Sequence, residues 1–336
     1  MLKNFFKHHT IHKKIVPYLD ILFILRPTLF FSIWVMVSIG MYLGGNIYIN
    51  NFIWNTEFYF NTLLFFIAIT LVCSSTFILN QILDIETDKA NNKLFLIGNN
   101  ISIIKSKRIA DFLFIAGLVL GIYIDWLIFV LLVSIYIFWG YLYNKSPFIL
   151  KRAPILGWFT NSFVGILLLF IGWVYNHKIY NSYENIFAIE FIKLSIPYIL
   201  AFSSVSLLTT IPDMKGDGES KVKTFPIAYG KITTIIISVL FIIPAQYISL
   251  MNEDPLASTS IIVSMPFYAF ALFRQLDKDI IRAIRYPIFT LNFFVMGIYP
   301  WLFIPVTVVF YLSKYYYWHR FNIHYPTLII EDKIIN

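Results

Sequence analysis

Charged side chains are scarce in this sequence. Aspartate, glutamate, lysine and arginine make up 13% of the 336 residues, whereas 59% of the residues are hydrophobic. Soluble domains carry about 25% charged and about 45–50% apolar residues. A soluble fold of this length would leave a large apolar surface in water, so the composition argues against an ordinary soluble domain and predicts a membrane protein.

Cysteine is also nearly absent. The single cysteine, Cys73, lies inside an apolar run, which excludes internal disulfides and cysteine metal sites. A cleavable signal peptide is not apparent, because residues 1–14 are basic and the first apolar run lacks the small residues of a cleavage site. The sequence shows no soluble domain, long linker or low-complexity tract, which predicts one helical bundle.

Long apolar runs are what the sequence has in abundance. A membrane-spanning helix needs about 17–25 mostly apolar residues, and several stretches qualify, some only at the short end. The candidate spans are Thr28–Ile49, Phe60–Asn80, Ala110–Ile124, Trp126–Tyr143, Ile155–Tyr175, Phe191–Ile211, Ile232–Met251, Leu256–Phe273 and Phe289–Leu312. These runs predict an all-α, polytopic membrane protein with about nine transmembrane helices in one bundle around a central cavity.

Positive charge divides unevenly between the two predicted sides. Of the 26 lysine and arginine residues, 21 fall on one side and five on the other. Under the positive-inside rule this division places the N-terminus in the cytoplasm and the C-terminus outside, and we expect the cell (inner or plasma) membrane. The net charge of +8 first suggests nucleic acid, but the basic residues lie in short loops between apolar runs. We therefore expect membrane lipid, and no nucleic acid, as a partner.

Two aspartate pairs stand at the ends of predicted spans. Asn80, Asp84 and Asp88 follow one another at intervals of four, and Asp213 and Asp217 repeat that spacing. Residues so spaced stack on one helical face, where like charges repel and weaken the helix. Acidic residues at a helix end are often only solvated, but two such pairs on one predicted side favour a bound cation. Magnesium is commonly held by one or two carboxylates together with substrate phosphates.

These residues and several others resemble a known family. Asn80-Gln81-x-x-Asp84-x-x-x-Asp88 and Asp213-x-x-x-Asp217 are similar to the two signatures of the UbiA superfamily of intramembrane prenyltransferases. The other matching blocks, in the family's order, are Leu25-Arg26-Pro27-Thr28, Tyr143-Asn144-Lys145-Ser146-Pro147, Leu150-Lys151-Arg152, Ile211-Pro212-Asp213-Met214-Lys215-Gly216-Asp217, Lys223-Thr224-Phe225-Pro226 and Tyr229-Gly230. One stretch departs from the pattern: Asn91–Gly98 lacks the prolines and the basic residue that many members carry there, so its role with diphosphate stays open.

The resemblance implies Mg²⁺-dependent transfer of a prenyl group from an isoprenyl diphosphate to a lipophilic, aromatic acceptor of the quinone-precursor kind, with release of pyrophosphate. It implies that four aspartates bind the metal and act in catalysis together with Tyr143; these are Asp84, Asp88, Asp213 and Asp217. The residues implied to bind diphosphate are Asn80, Lys145, Lys151, Arg152, Lys215 and Lys221, and Arg26 would bind the acceptor. The tyrosine and the basic residues also fit ordinary interfacial roles.

The resemblance also implies domain boundaries, and it leaves alternative functions open. Residues 25–312 would form the prenyltransferase membrane domain, between a cytoplasmic tail of residues 1–24 and a C-terminal tail of residues 313–336. A transporter or carrier of an anionic, lipid-like substrate is one alternative, although transporters more often carry broken helices and charges near the midplane. An isoprenoid diphosphate synthase also pairs aspartates but is usually soluble. Ether-lipid or carotenoid acceptors, the prenyl length and the oligomeric state stay open.

Overall fold

The computed structural model describes residues 10–45, 56–90, 96–179, 186–187, 189–220 and 222–327. These residues are predominantly helical, which confirms the all-α prediction. In chain order the α-helices are α1 (Thr10–Phe23), α2 (Phe30–Leu43), α3 (Thr56–Leu83), α4 (Ile85–Ala90), α5 (Ile103–Ile124), α6 (Trp126–Ile135), α7 (Pro154–Ile179), α8 (Ile189–Leu208), α9 (Met214–Glu219), α10 (Phe225–Tyr229), α11 (Lys231–Met251), α12 (Pro255–Arg274), α13 (Asp277–Ile298) and α14 (Phe303–Phe321).

Within the described ranges, six helical segments are long and apolar enough to cross a membrane. They are Tyr59–Leu83, Pro154–Ile179, Ile189–Glu219, Lys231–Met251, Pro255–Arg274 and Asp277–Ile298. A seventh is the bent pair Lys14–Phe23 and Pro27–Leu43, whose halves meet at 44°, and Trp126–Leu142 is a shorter apolar helix. A polytopic membrane protein is therefore confirmed, and the expected count of nine is approximate.

Helices α2 and α7 cross at the centre of the bundle with their backbones in contact. A Cβ atom on Gly40 would come within 1.9 Å of the Leu169 carbonyl oxygen, and one on Gly172 within 2.0 Å of the Val37 carbonyl oxygen. Small residues allow such close approach between membrane helices, where dispersion contacts replace the hydrophobic effect as the main attraction. The crossing lies within the main apolar core, which surrounds it with buried aliphatic and aromatic side chains.

Both aspartate pairs lie at one end of the bundle. The chain bends at Asp84, between α3 and α4, and the second pair follows α8 in the short 3-10 helix Ile211–Asp213 and in α9. Helices α4 and α9 pack against each other, so the two segments that carry the aspartate motifs meet. We call this end of the bundle the aspartate face.

The predicted ninth span, Phe289–Leu312, is wrong. Helix α13 begins at Asp277 and ends at Ile298, a 3-10 turn covers Pro300–Leu302, and α14 follows as a separate helix. Pro300 has no N–H to continue the helix and disfavours the helical conformation of the preceding residue; Tyr299 has φ −119° and ψ 78°. A hydropathy profile does not show where the chain reverses direction between two apolar helices. The sequence-based prediction therefore joined the end of α13 and the start of α14 into one span.

Helix α14 returns to the aspartate face. Its Arg320 contacts Asp20 of α1 at 3.1 Å, and the Arg285 guanidinium, in the first half of α13, donates to the Thr327 carbonyl oxygen at 2.9 Å. The charge count places Arg320 on the membrane side opposite the N-terminal segment. The structure instead places Arg320 beside Asp20 of α1, so that expectation is wrong for the described residues. Residues 313–321, expected in a tail, belong to α14.

Candidate active site

Asp84 is held by a basic side chain from a neighbouring loop. The Lys151 ammonium, in the 3-10 helix Leu150–Arg152, forms an ion pair with the Asp84 carboxylate and also donates to the Asn144 Oδ1 atom at 3.2 Å. Asn144 is buried and donates to the Trp139 carbonyl oxygen at 2.7 Å. The loop between α6 and α7 is thereby tied to the first aspartate motif.

Asp88 is held by a basic side chain from the segment between α1 and α2. Its side chain is 8% exposed, and its Oδ2 atom lies 3.4 Å from the Arg26 guanidinium. Gln81, in the same motif, donates through Nε2 to the Ile24 carbonyl oxygen at 2.7 Å, which fastens the segment before Arg26 to the end of α3. The Oδ1 atom of Asn80 is buried and has no hydrogen-bond partner among the described residues.

Tyr143 lies within electrostatic reach of both motifs. The pKa of its hydroxyl is raised to about 12, chiefly by burial and in part by the carboxylates of Asp84, Asp217 and Asp213, while the hydrogen bond from Asn161 acts in the opposite direction. Asp217 is buried on α9. The tyrosine thus stays protonated at neutral pH and can donate a hydrogen bond to an anion.

A π-helical segment, Tyr136–Leu142, delivers Tyr143 to this position. The Tyr143 N–H donates to the Phe138 carbonyl oxygen five residues earlier at 3.0 Å. The Trp139 indole donates to the Asn161 Oδ1 atom at 2.8 Å, and the Asn161 amide donates to the Tyr143 hydroxyl oxygen at 3.5 Å. Such widened turns often occur at functional sites, because they change which side chains face inward.

Other residues predicted to bind the diphosphate lie over an aromatic ring, in exposed positions or outside the described residues. The Lys145 ammonium lies over the Tyr141 ring, 5.6 Å from its centroid, and the Arg152 and Lys215 side chains are exposed. Lys221 lies outside the described residues, and of the divergent loop Asn91–Gly98 only residues 96–98 are described. Of the predicted cations that the structure describes, Lys151 contacts Asp84 and Arg26 contacts Asp88.

Sequence reasoning missed three polar residues that support the site. Gln81 belongs to the first motif but has no predicted role, Asn144 lies in the matching block after α6, and Asn161 stands alone in the apolar run of α7. A polar amide in an apolar helix is costly without a partner. That signal was available for Asn161, but its partners Trp139 and Tyr143 come from another segment and are set by the fold.

The donor set fits a magnesium ion completed by phosphate. Among the described residues, no group of three or more histidine, cysteine, aspartate or glutamate side chains gathers closely enough to hold a metal. Magnesium does not require one, since it is usually bound by one or two carboxylates, waters and substrate phosphates. Carboxylates from two facing segments and the buried, unpartnered Oδ1 atom of Asn80 are oxygen ligands of the kind this ion prefers.

Comparison with known sequences finds one family across most of the chain. The UbiA prenyltransferase family matches residues 33–293. A digeranylgeranylglyceryl phosphate synthase of Methanobrevibacter smithii is 30% identical over 228 residues, which is 63% of this chain and 76% of that protein. A protoheme IX farnesyltransferase of Buchnera aphidicola is 29% identical over 177 residues, which is 49% of this chain and 58% of that protein.

Solved structures share the fold. A UbiA homologue from Archaeoglobus fulgidus bound to GPP and Mg²⁺ superimposes with a TM-score of 0.61 at 16% identity, covering 83% of this chain and 99% of that one. The structure of a digeranylgeranylglyceryl phosphate synthase superimposes with a TM-score of 0.58 at 19% identity, covering 85% of this chain and 97% of that one. The overall helical fold of this chain is therefore one that these solved structures share.

Proposed function

Because this chain belongs to the UbiA prenyltransferase family and is an intramembrane prenyltransferase, we propose that it transfers a prenyl group from an isoprenyl diphosphate to a lipophilic acceptor with Mg²⁺ and releases pyrophosphate. The observation that carries this proposal is the meeting of the two aspartate motifs, through the packing of α4 on α9, at one end of an apolar bundle. A related fold from Archaeoglobus fulgidus, described as bound to DMAPP and Mg²⁺, supports an isoprenyl diphosphate as donor.

The four aspartates would hold the metal, and Asn80 would add an oxygen ligand or orient one. They are Asp84, Asp88, Asp213 and Asp217. Bound there, Mg²⁺ would neutralise the diphosphate and stabilise it as a leaving group. The carboxylates would fix where the diphosphate lies, and the half-buried Tyr143 would donate a hydrogen bond from its hydroxyl to the diphosphate oxygens.

Lys151 is the best-placed side chain to contact the diphosphate directly. It is largely buried, with 12% of its side chain exposed, and it already lies between Asp84 and Asn144. A lysine held in this way brings a positive charge next to the departing oxyanion. Lys145, Arg152, Lys215 and Lys221 would add longer-range attraction for the substrate.

Departure of the diphosphate leaves an allylic cation, which water would quench. Aromatic side chains line the helices next to the motifs: the Phe77 and Trp139 rings are 5.6 Å apart and the Phe138 and Phe163 rings 4.6 Å apart. Ring faces attract cations, and an apolar wall keeps water away. The acceptor nucleophile then bonds to the prenyl carbon and loses its proton.

Arg26 is the residue we propose for the acceptor, through an acidic or phenolic group. An aromatic quinone precursor is one candidate. A lipid with a glyceryl phosphate head group is the second, and the name of the Methanobrevibacter relative favours it. Both would offer an anion or a polar oxygen to the guanidinium and an apolar body to the bundle.

The test is transfer by purified protein in lipid bilayers. Labelled geranyl-, farnesyl- and geranylgeranyl-diphosphate are each incubated with Mg²⁺ and a panel of phenolic, glyceryl phosphate and carotenoid acceptors. We expect pyrophosphate and a prenylated product with one acceptor class. Donor binding without pyrophosphate release, across every acceptor, would contradict the proposal and favour a carrier.

The domain plan and the location are proposed on the same basis. We propose that residues 25–312 belong to the catalytic membrane domain, that the rest of α14 extends this domain to Phe321, and that the aspartate face is cytoplasmic, in the plasma or inner membrane. The positive residues concentrated at that face support the orientation.

A further inference from the structure

A buried polar cluster joins the two ends of the described chain at the aspartate face. Asp20 of α1 accepts a hydrogen bond from the Tyr316 hydroxyl at 2.5 Å, one from the Arg320 guanidinium at 3.1 Å and one from the Asn100 amide at 3.3 Å. Asp20 is 6% exposed and Tyr316 is 1% exposed. The cluster of Asp20, Tyr316 and Arg320, called here the clasp, lies outside the family-matched residues 33–293.

The clasp is continuous with the turn that carries Arg26. The Phe23 ring stacks on the Tyr316 ring, with centroids 3.9 Å apart. The carbonyl oxygen of the same Phe23 accepts the Arg26 N–H at 3.1 Å. One residue therefore packs on α14 with its side chain and fixes the backbone of Arg26 with its carbonyl group.

Arg26 stands in a backbone conformation that needs outside support. Its φ of 54° and ψ of 61° lie in the left-handed region, which residues with a Cβ atom adopt only when surrounding contacts hold them there. Gln81 fixes the neighbouring Ile24 carbonyl from α3, and the Leu29 N–H donates to the Arg26 carbonyl oxygen at 2.9 Å. In this conformation the guanidinium reaches Asp88.

We propose that Asp20 is a positioning residue that acts through Arg26: α14 grips Asp20 with Tyr316 and Arg320 and thereby holds the left-handed turn that presents the Arg26 guanidinium to Asp88. The helix α14, beyond the family-matched segment, is then part of the machinery of the site. The proposal rests on the proposed function only for the kinetic consequence, that a misplaced Arg26 weakens acceptor binding.

The first test measures the turn itself, in full-length protein in bilayers without substrate. Tyr316→Phe removes the hydroxyl and keeps the ring that stacks on Phe23. We expect faster hydrogen–deuterium exchange in the peptide that contains residues 24–29 in Tyr316→Phe and in Arg320→Gln. Tyr311→Phe is the matched control, because it removes a hydroxyl from an exposed tyrosine of the same helix and should exchange as the unmodified protein does.

The second test asks whether the clasp acts through Arg26. In Tyr316→Phe we expect the KM for the acceptor to rise about fivefold, with kcat nearly unchanged, because one buried hydrogen bond to a carboxylate is lost. In an Arg26→Gln background the same substitution should change the acceptor KM no further. Arg320→Lys should retain the acceptor KM better than Arg320→Gln, since lysine can still pair with Asp20.

The outcomes separate the two proposals. Unchanged exchange at residues 24–29 in both clasp variants would overturn the inference, and so would an equal rise of the acceptor KM in the presence and absence of Arg26. If the unmodified protein transfers to no acceptor, the proposed function fails, whereas the exchange measurement still decides whether the clasp holds the turn.

Discussion

The indole of Trp139 and the amide of Asn161 are joined by a 2.8 Å hydrogen bond between Nε1 and Oδ1. This bond fixes the orientation of the Asn161 amide, so that its Nδ2 atom faces the Tyr143 hydroxyl oxygen. Since the asparagine donates to that oxygen, the hydroxyl hydrogen of Tyr143 is directed elsewhere. The two motifs lie within its electrostatic reach, which supports the proposal that Tyr143 donates a hydrogen bond to the diphosphate.

Removing either the Tyr143 hydroxyl or the Asn161 amide should lower kcat modestly. We expect Tyr143→Phe and Asn161→Leu each to lower kcat about 3–10-fold, the equivalent of one hydrogen bond of about 0.5–1.5 kcal/mol. The double variant should be little worse than Tyr143→Phe, because Asn161 acts through the tyrosine. Steady-state pyrophosphate release measures the effect. Tyr141→Phe, at an exposed neighbour, is the control, and multiplying losses in the double variant would contradict the arrangement.

The metal dependence should reside in both motifs. Asp84→Ala and Asp213→Ala should each lower turnover more than about 100-fold while the protein stays folded, because each removes a proposed oxygen ligand of the metal. Magnesium titration of pyrophosphate release and a thermal melt are the two measurements. Glu86→Gln is the matched control, since that side chain is 85% exposed and pairs only with Lys89 in the contacts described. Full activity in chelator without added metal would refute this mechanism.

The two motifs should act as one unit. Asp88→Asn and Asp217→Asn should each lower kcat strongly, and the double variant should be little worse than the weaker single variant, because residues acting on one group give non-additive losses. The measurement is kcat for pyrophosphate release at saturating donor in the two single variants and the double variant. Fully multiplicative losses would indicate that the motifs act independently, on different parts of the reaction.

The membrane side on which each loop lies should follow from the helix arrangement of the structure and not from the charge count alone. Reporter fusions after Ser220 and after Thr327 should report the same side, and fusions after Glu253 the opposite side, because α14 returns to the aspartate face. We expect that face to be cytoplasmic. If fusions after Ser220 and Thr327 report opposite sides, the return of α14 is refuted.

The central helix crossing should tolerate no added methyl group. Gly40→Ala and Gly172→Ala place a Cβ atom about 2 Å from a backbone carbonyl oxygen of the other helix, and overpacking of this kind costs about 1–3 kcal/mol. We expect a lower melting temperature in detergent for both. Gly297→Ala is the control, because no atom lies within 4 Å of its added Cβ and alanine favours helix. Equal melting temperatures for all three would contradict the close crossing.

The sequence by itself determined the class of the protein and predicted the chemistry of its site. Apolar runs of membrane length predict helices, because every backbone polar group in lipid must be satisfied internally. The spacing of Asn80, Asp84 and Asp88 predicts a shared face through helical periodicity alone. These are local properties of short stretches of sequence, so they could be recognised without knowing the tertiary structure.

Only the tertiary structure decided how distant segments support that site. The pairing of Asp84 with Lys151 and of Asp88 with Arg26 depends on helix packing, which no local pattern encodes. The same holds for Asn161, whose partners come from the π-helical segment. A hydropathy profile does not show the direction of a helix, so it could not show that α14 reverses after Pro300 and brings Tyr316 and Arg320 to Asp20. These contacts join residues about 300 positions apart and form only when the bundle is folded.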